Sequence, residues 1–137
     1  MIKIFVDTDV CIDLLSERMP FNIHAAKLFS LADNHKIKIF VSSISFANID
    51  YVLRSQFSGK SSRQMLAKFK TLVTVLPFDS KTIDLSIASD FADFEDAIQY
   101  NTAIENGQSI LITRNTKDYK KAHIQVLTPE TFLTSRL

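Results

Sequence analysis

Two runs of nearly the same residues, IKIFV at 2–6 and IKIFVSS at 37–43, constrain the fold of this chain more than any other feature. Each is short, apolar and β-branched, and each meets a polar stop, Asp7 in the first and Ser42 and Ser43 in the second. Such runs read as strands buried on both faces. Helical spacing fills the interval. DVCIDLLSER has it up to Pro20, and NIHAAKLFSLADNHK puts Ala25, Leu28, Phe29 and Ala32 on one face. Strand, helix and strand in that order need a crossover, so the strands run parallel.

The alternation continues along the chain. VTVLPF, SILIT and IQVL read as further strands. SISFANIDYVLRSQF reads as a helix capped by a serine, and residues 60–72 and KTIDLSIAS as two more. DFEDAIQYNTAIENG is a helix opened by Asp93 and closed by Gly107, and TPETFLTS is a last helix with Pro129 in its first turn. The expected fold is α/β: a central parallel sheet of about five strands with helical layers on both faces. With 137 residues, 46% of them hydrophobic, and only two glycines, one domain over 1–137 is expected. Phe29, Phe40, Phe46, Phe69 and Phe78 read as core.

Several classes of protein are set aside at this stage. No apolar run reaches the roughly 18 residues of a membrane span. The N-terminus lacks a charged region followed by an apolar one, so no secretory signal is expected. The single cysteine, Cys11, sits among Val10, Ile12 and Leu14 and reads as a packed thiol. The cytoplasm is the expected compartment. Net charge is only +1, but its distribution is uneven. Acids gather at 7–13 and 90–96. Bases gather at Arg54, Lys60, Arg63, Lys68 and Lys70, and again at Arg114, Lys117, Lys120 and Lys121. An acidic pocket with basic surroundings and a set of solvated helix faces are both consistent with this.

Sites in open α/β sheets form beyond the carboxyl ends of the strands. There the chain places Asp7 and Asp9; Ser42 and Ser43, with Asn48 and Asp50 further on; and Thr113, Arg114, Asn115 and Asp118. A helix starting at the same rim adds Asp93, Glu95 and Asp96. Converging carboxylates raise one another's pKa, and a hard divalent cation, Mg²⁺ or Mn²⁺, removes the conflict. His24, His35 and His123 lack zinc-ligand spacing. Structural readings stand beside the chemical ones. Asp7 at the strand's end suits a helix-capping acid, Asp9 also has the position of an N-cap, and Asp93 with Asp96 the spacing of a capping box. Glu95 suits a helix dipole, Asn115 and Asp118 suit a turn, and Thr113 and Arg114 suit an ordinary strand end. Spacing and composition reach metal-dependent phosphoryl chemistry and stop there.

FVDTDVCIDLL, SSISFANIDYVL, DFEDAIQYNTAIENG and LITRNTKDY…VLTPETFL, in that order, resemble the PIN domain over nearly the whole chain. DFEDA followed by LITRN-x-KDY is the most specific part. Within that family the chain looks most like small bacterial VapC-type toxins. The resemblance implies a three-layer α/β/α fold and a metal-dependent endoribonuclease. It also implies a cognate antitoxin partner and a homodimer. Carried across, Asp7 and Asp96 match the metal-binding acids, and Asp118, or Asn115 just before it, matches the acid after the fourth strand. Asp9 stands where the family commonly has asparagine and is expected in support, with Asp93, Glu95 and Thr113. Arg114 and Lys117 are expected at the RNA backbone.

Asn48 is the larger departure, because the family usually has glutamate there. It retains an oxygen and loses the charge, and Asp50, about 200° around the helix, does not replace it. Glu95 and Asp93 are placed to compensate from the other side. On this basis Asp96→Asn should abolish activity and Asn48→Glu should raise it. A weakened module that binds RNA or a protein partner without turnover is the alternative. IFVDTDV also fits the opening of a haloacid-dehalogenase-like phosphatase, with Asp7 as nucleophile and Asp9 as acid/base. That fold needs a longer chain and a Gly-Asp segment missing here.

Overall fold

Short strands and their following helices dominate the computed structural model, which describes residues 1–136, with side chains for 1–135. In chain order the elements are β1 (Ile2–Val6), α1 (Thr8–Leu15), α2 (Asn22–Asp33), β2 (Ile37–Ser42), α3 (Ser43–Leu53) and α4 (Gly59–Lys70). They continue with β3 (Thr74–Leu76), α5 (Ser80–Ile87), α6 (Phe94–Glu105), β4 (Ile110–Ile112), β5 (Gln125–Leu127) and α7 (Pro129–Arg136). A 3₁₀ turn at Thr116–Tyr119 joins β4 to β5. All strand pairs are parallel, and the sheet order is β3-β2-β1-β4-β5. The two similar runs are the central neighbours: Ile4 pairs with Ile39 and Phe5 with Phe40.

Alternation along β1 builds two cores. Ile4 and Val6 face a large cluster with Val10, Leu28, Ile49, Phe69 and Phe132, drawn from α1, α2, α3, α4 and α7. Phe5 points to the opposite face, against Phe40, Ala103, Leu111 and Tyr119. The sheet is therefore covered on both sides, and its strands read as apolar runs for that reason. Cys11 is fully buried. Phe29, Phe40 and Phe69 are buried and Phe46 packs against the cluster of Phe29 and Phe69, whereas Phe78 is only half-buried.

Helix ends fall short of the sequence reading at three places, one of them α2, which stops at Asp33 with His35 left-handed at φ 58° and does not run to Lys36. α1 stops at Leu15: the N–H of Ser16 makes the last helical bond, to Ile12 O, and Glu17 then turns left-handed at φ 52°. The chain thus breaks before Pro20. α3 stops at Leu53, four residues short of the expected end at Phe57, and the N–H of Phe57 closes a turn onto Leu53 O. Elsewhere the caps are those the residues suggest. Ser42 caps α3, Asp93 caps α6, and Gly107 follows α6 at φ 71°.

Candidate active site

Strand order reverses at β1, with β2 on one side and β4 on the other, so a crevice opens at the carboxyl ends of β1 and β4. Asp7 sits in it. Its backbone N–H donates to Ile112 O at 2.9 Å, which extends the β1–β4 pairing by one residue. Its extended backbone makes it the N-cap of α1, and Oδ1 accepts from the Thr8 N–H at 2.7 Å. Oδ2 accepts from Thr113 Oγ1 at 2.9 Å and from Tyr119 Oη at 3.0 Å. Asp7 is 7% exposed, and all of these donors are neutral. Burial, then the charge of Asp9, pushes its carboxyl up to about 8, against the pull of the Thr113 and Tyr119 bonds.

Asp9 lies in the first turn of α1, so it is not the N-cap; Asp7 holds that position. Its Oδ2 gathers the segment after β4, accepting from Arg114 N at 3.1 Å, Asn115 Nδ2 at 3.2 Å and Thr113 Oγ1 at 3.3 Å. Among the described residues its buried Oδ1 has no hydrogen-bond partner. Burial raises its pKa, opposed first by the bond from the Arg114 N–H.

Asp96 comes from the first turn of α6. Its N–H donates to Asp93 Oδ1 at 2.9 Å. That is one half of the expected capping box; the Asp96 carboxylate turns instead to Tyr119 Oη, 3.4 Å from Oδ1. Burial, then the charges of Asp93 and Asp118, raises its pKa to about 6. Tyr119 is 3% exposed, and burial with the nearby Asp7 and Asp96 charges pushes the phenol up, so it stays a donor. One hydroxyl thus stands between carboxylates from β1 and α6. On the near side of the cleft Asn48 Nδ2 donates to Glu95 Oε1 at 2.7 Å. Asp7, Asp9, Asn48, Glu95, Asp96 and Asn115 all line this one cleft of about 360 Å³.

A neutral polar floor lies beneath. Gln99 Nε2 donates to Thr8 Oγ1 at 2.9 Å and Ser45 Oγ at 3.1 Å, and the two hydroxyls bond each other at 2.8 Å. These links tie α6, α1 and α3 together below the carboxylates, in a layer with little or no exposure.

A family model described as the PIN domain matches residues 3–117. The chain belongs to the PIN domain family. Ribonuclease VapC1 of Aquifex aeolicus (strain VF5) is 26% identical over 135 residues, 95% of this chain and 92% of that protein. A toxin–antitoxin complex from Klebsiella pneumoniae contains a chain with the same fold, at TM-score 0.68 and 23% identity over 91% of this chain and 96% of that one. DNA-bound VapBC from Salmonella typhimurium matches at TM-score 0.70 and 16% identity, over 94% and 99% of the two chains.

Within this PIN domain the remaining expected residues divide. Asn115 lines the cleft, whereas Asp118 is exposed in the 3₁₀ turn, its N–H donating to Asn115 O at 2.9 Å. Asp118 acts on the cleft through its charge on Asp96. Arg114, expected at RNA phosphate, is committed elsewhere. Its Nε and Nη2 donate to Asp13 at 2.6 and 3.2 Å, and its guanidinium lies 4.0 Å over the Phe21 ring. Lys117 is exposed in the 3₁₀ turn. Asp50 faces away, accepting from Ser62 Oγ at 2.6 Å. Among the described residues His24, His35 and His123 join no metal-binding group.

Sequence reasoning missed Tyr119, Gln99, Arg18 and the rim aromatic Tyr51, which is 82% exposed. Tyr119 had a signal, since it closes the KDY segment next to Asp118. Gln99 had only the faint one of a polar residue on the buried face of a helix.

Proposed function

We propose that this PIN domain is an endoribonuclease of VapC type, dependent on Mg²⁺ or Mn²⁺, and the toxin of a toxin–antitoxin pair. One juxtaposition carries the reading. Asp7 and Asp96, far apart in sequence, meet the same Tyr119 hydroxyl at 3.0 and 3.4 Å. Each has a pKa raised by burial and by like charge, which is an unmet demand for a cation.

The donors fit a hard ion, because they are all oxygens and the buried Asp9 Oδ1 has no partner among the described residues. Among the described residues no three acidic, imidazole or thiol side chains form a ready cage. Mg²⁺ is suited to such a site, since it keeps several waters and takes one or two carboxylates. Asp7 and Asp96 would hold it, with Asp118 assisting from the rim. Bound there, the ion supplies stabilisation of charge on a phosphoryl oxygen and lowers the pKa of water.

The chain's own residues do the rest. Thr113 and Tyr119 fix the Asp7 carboxylate, and Asp9 anchors the segment that carries Asn115 and Asp118. Asn48 orients water or substrate. Lys117 and Arg18, exposed at or near the cleft mouth, balance the RNA backbone. Ile83 and Ile87, one turn apart and exposed on α5, offer an apolar surface to a second copy of this single-domain, cytoplasmic protein. A cognate antitoxin completes the set of partners. None of the described helices is long and apolar enough to cross a membrane.

A mixed RNA pool incubated with and without Mn²⁺ tests the reading. Cleavage is expected only with the ion and not at all in Asp96→Asn. Asn48 favours a second reading, a module that binds RNA without turnover. RNA retained but never cut at any Mn²⁺ concentration would establish that one instead.

A further inference from the structure

We propose that Glu95 supplies the carboxylate that position 48 lacks, so that Asn48 and Glu95 act as one unit spanning α3 and α6. The inference rests on the nuclease reading and concerns which residues complete its site. Asn48 Nδ2 to Glu95 Oε1 is 2.7 Å, short for an amide donor and typical of a bond to an ionised acceptor. Glu95 and Asp96 are consecutive in the first turn of α6, and both line the cleft with Asp7 and Asn48. Glu95 makes none of the ion pairs formed among the described residues. Its only hydrogen bond there comes from the amide that stands where a carboxylate was expected.

The two positions exclude a shared charge. A glutamate at 48, one methylene longer than asparagine, would put a second carboxylate beside Glu95 with no donor between them, a repulsive arrangement. An amide at 48 turns the same contact into an attractive one and aims Glu95 into the cleft. The negative charge is thereby moved from α3 to the start of α6, where the helix dipole favours it. The site keeps its charge count, and metal affinity follows that count. Glu95 stays exposed at the cleft mouth, where partial burial and the charge of Asp93 raise its pKa.

The expectation for Asn48→Glu changes accordingly. It adds a carboxylate against one already present, so it should not raise activity. Mn²⁺ binding, read by the EPR signal of the free ion, separates the cases without reference to turnover. Five proteins are compared: native, Asp96→Asn, Glu95→Gln, Asn48→Glu, and the double variant Asn48→Glu/Glu95→Gln. Glu95→Gln should weaken Mn²⁺ by about tenfold or more, the range seen when groups around a metal are removed. Asn48→Glu should bind no tighter than native, and the double variant should recover what Glu95→Gln loses. RNA cleavage should follow the same order. Native affinity in Glu95→Gln, or a double variant no better than Glu95→Gln, overturns the inference. If Asp96→Asn loses the ion while Glu95→Gln keeps it, the nuclease site stands and Glu95 has no part in it. A native chain that binds no Mn²⁺ overturns both.

Discussion

Asp7 caps the short helix α1 and Asp13 lies in its last turn, and both are buried, at 7% and 1% exposure, yet the chain treats them in opposite ways. Asp13 receives Arg114 through two N–H donors at 2.6 and 3.2 Å. Asp7 receives a backbone N–H and two hydroxyls, all neutral, while Asp9 and Asp96 press on it with like charge. The first is a closed ion pair. The second is a buried acid whose demand for positive charge the protein leaves unmet. Burial alone therefore does not tell the two carboxylates apart; the charge of their partners does.

The strongest break of this comparison is removal of the charge itself. Asp7→Asn and Asp96→Asn should both reduce RNA cleavage to background, measured with Mn²⁺ in excess. Asp7→Asn should also leave the apo protein at least as stable as native near pH 8 in urea unfolding, because an uncharged amide relieves the repulsion.

The opposite outcome is expected at the other acid. Arg114→Met strands the Asp13 carboxylate, and loss of one partner from a buried pair typically destabilises by about 3–5 kcal/mol. A fall in urea midpoint, largely reversed by adding Asp13→Leu, is the expected result. A fall in RNA affinity without any loss of stability would return Arg114 to the phosphate-binding role that the sequence suggested.

The Arg114–Asp13 pair shows where legibility ended. The strand runs, their parallel order and the rim at which the acids gather follow from local pattern, because each strand's burial is written in its own residues. Asp7, Asp96 and Asn48 could be put in one cleft for the same reason. Pairing within the rim could not. Arg114 reaches Asp13 and not the cleft because α1 brings Asp13 beneath the β4 exit, a relation between segments 101 residues apart. Tyr119 was hidden for a similar reason: a tyrosine at the end of a turn is ordinary until Asp7 and Asp96 are found on either side of its hydroxyl.

A gentler probe of the unmet charge is pH. The Asp7 carboxyl is raised from 3.8 to about 8 in the folded protein. The native state then keeps a proton that the unfolded chain releases, so this contribution to stability is full below about pH 4 and is lost as pH rises towards 8. Apo protein should show a higher urea midpoint at pH 6 than at pH 8. Saturating Mn²⁺ should flatten the difference, since the ion replaces the proton, and Asp7→Asn should flatten it without the ion. A slope that survives Asp7→Asn unchanged would assign the titration to other groups.

The smallest expected effect belongs to Tyr119→Phe, and it sharpens the comparison most. The ring is held edge-on by Phe91, at 5.8 Å between centroids, so phenylalanine retains the packing and removes one hydroxyl. Loss of that bond should lower stability by about 1 kcal/mol. The hydroxyl also favours the ionised forms of Asp7 and Asp96, lowering both pKa values against the effect of burial. Without it the carboxyls hold their protons more tightly, and Mn²⁺ must compete harder. Mn²⁺ binding in Tyr119→Phe should therefore weaken more at pH 6 than at pH 8, a pH signature that a packing defect does not produce. Equal weakening at both pH values would make Tyr119 a spacer between the two acids and leave Asp7 to be set by Thr113 and the helix start alone.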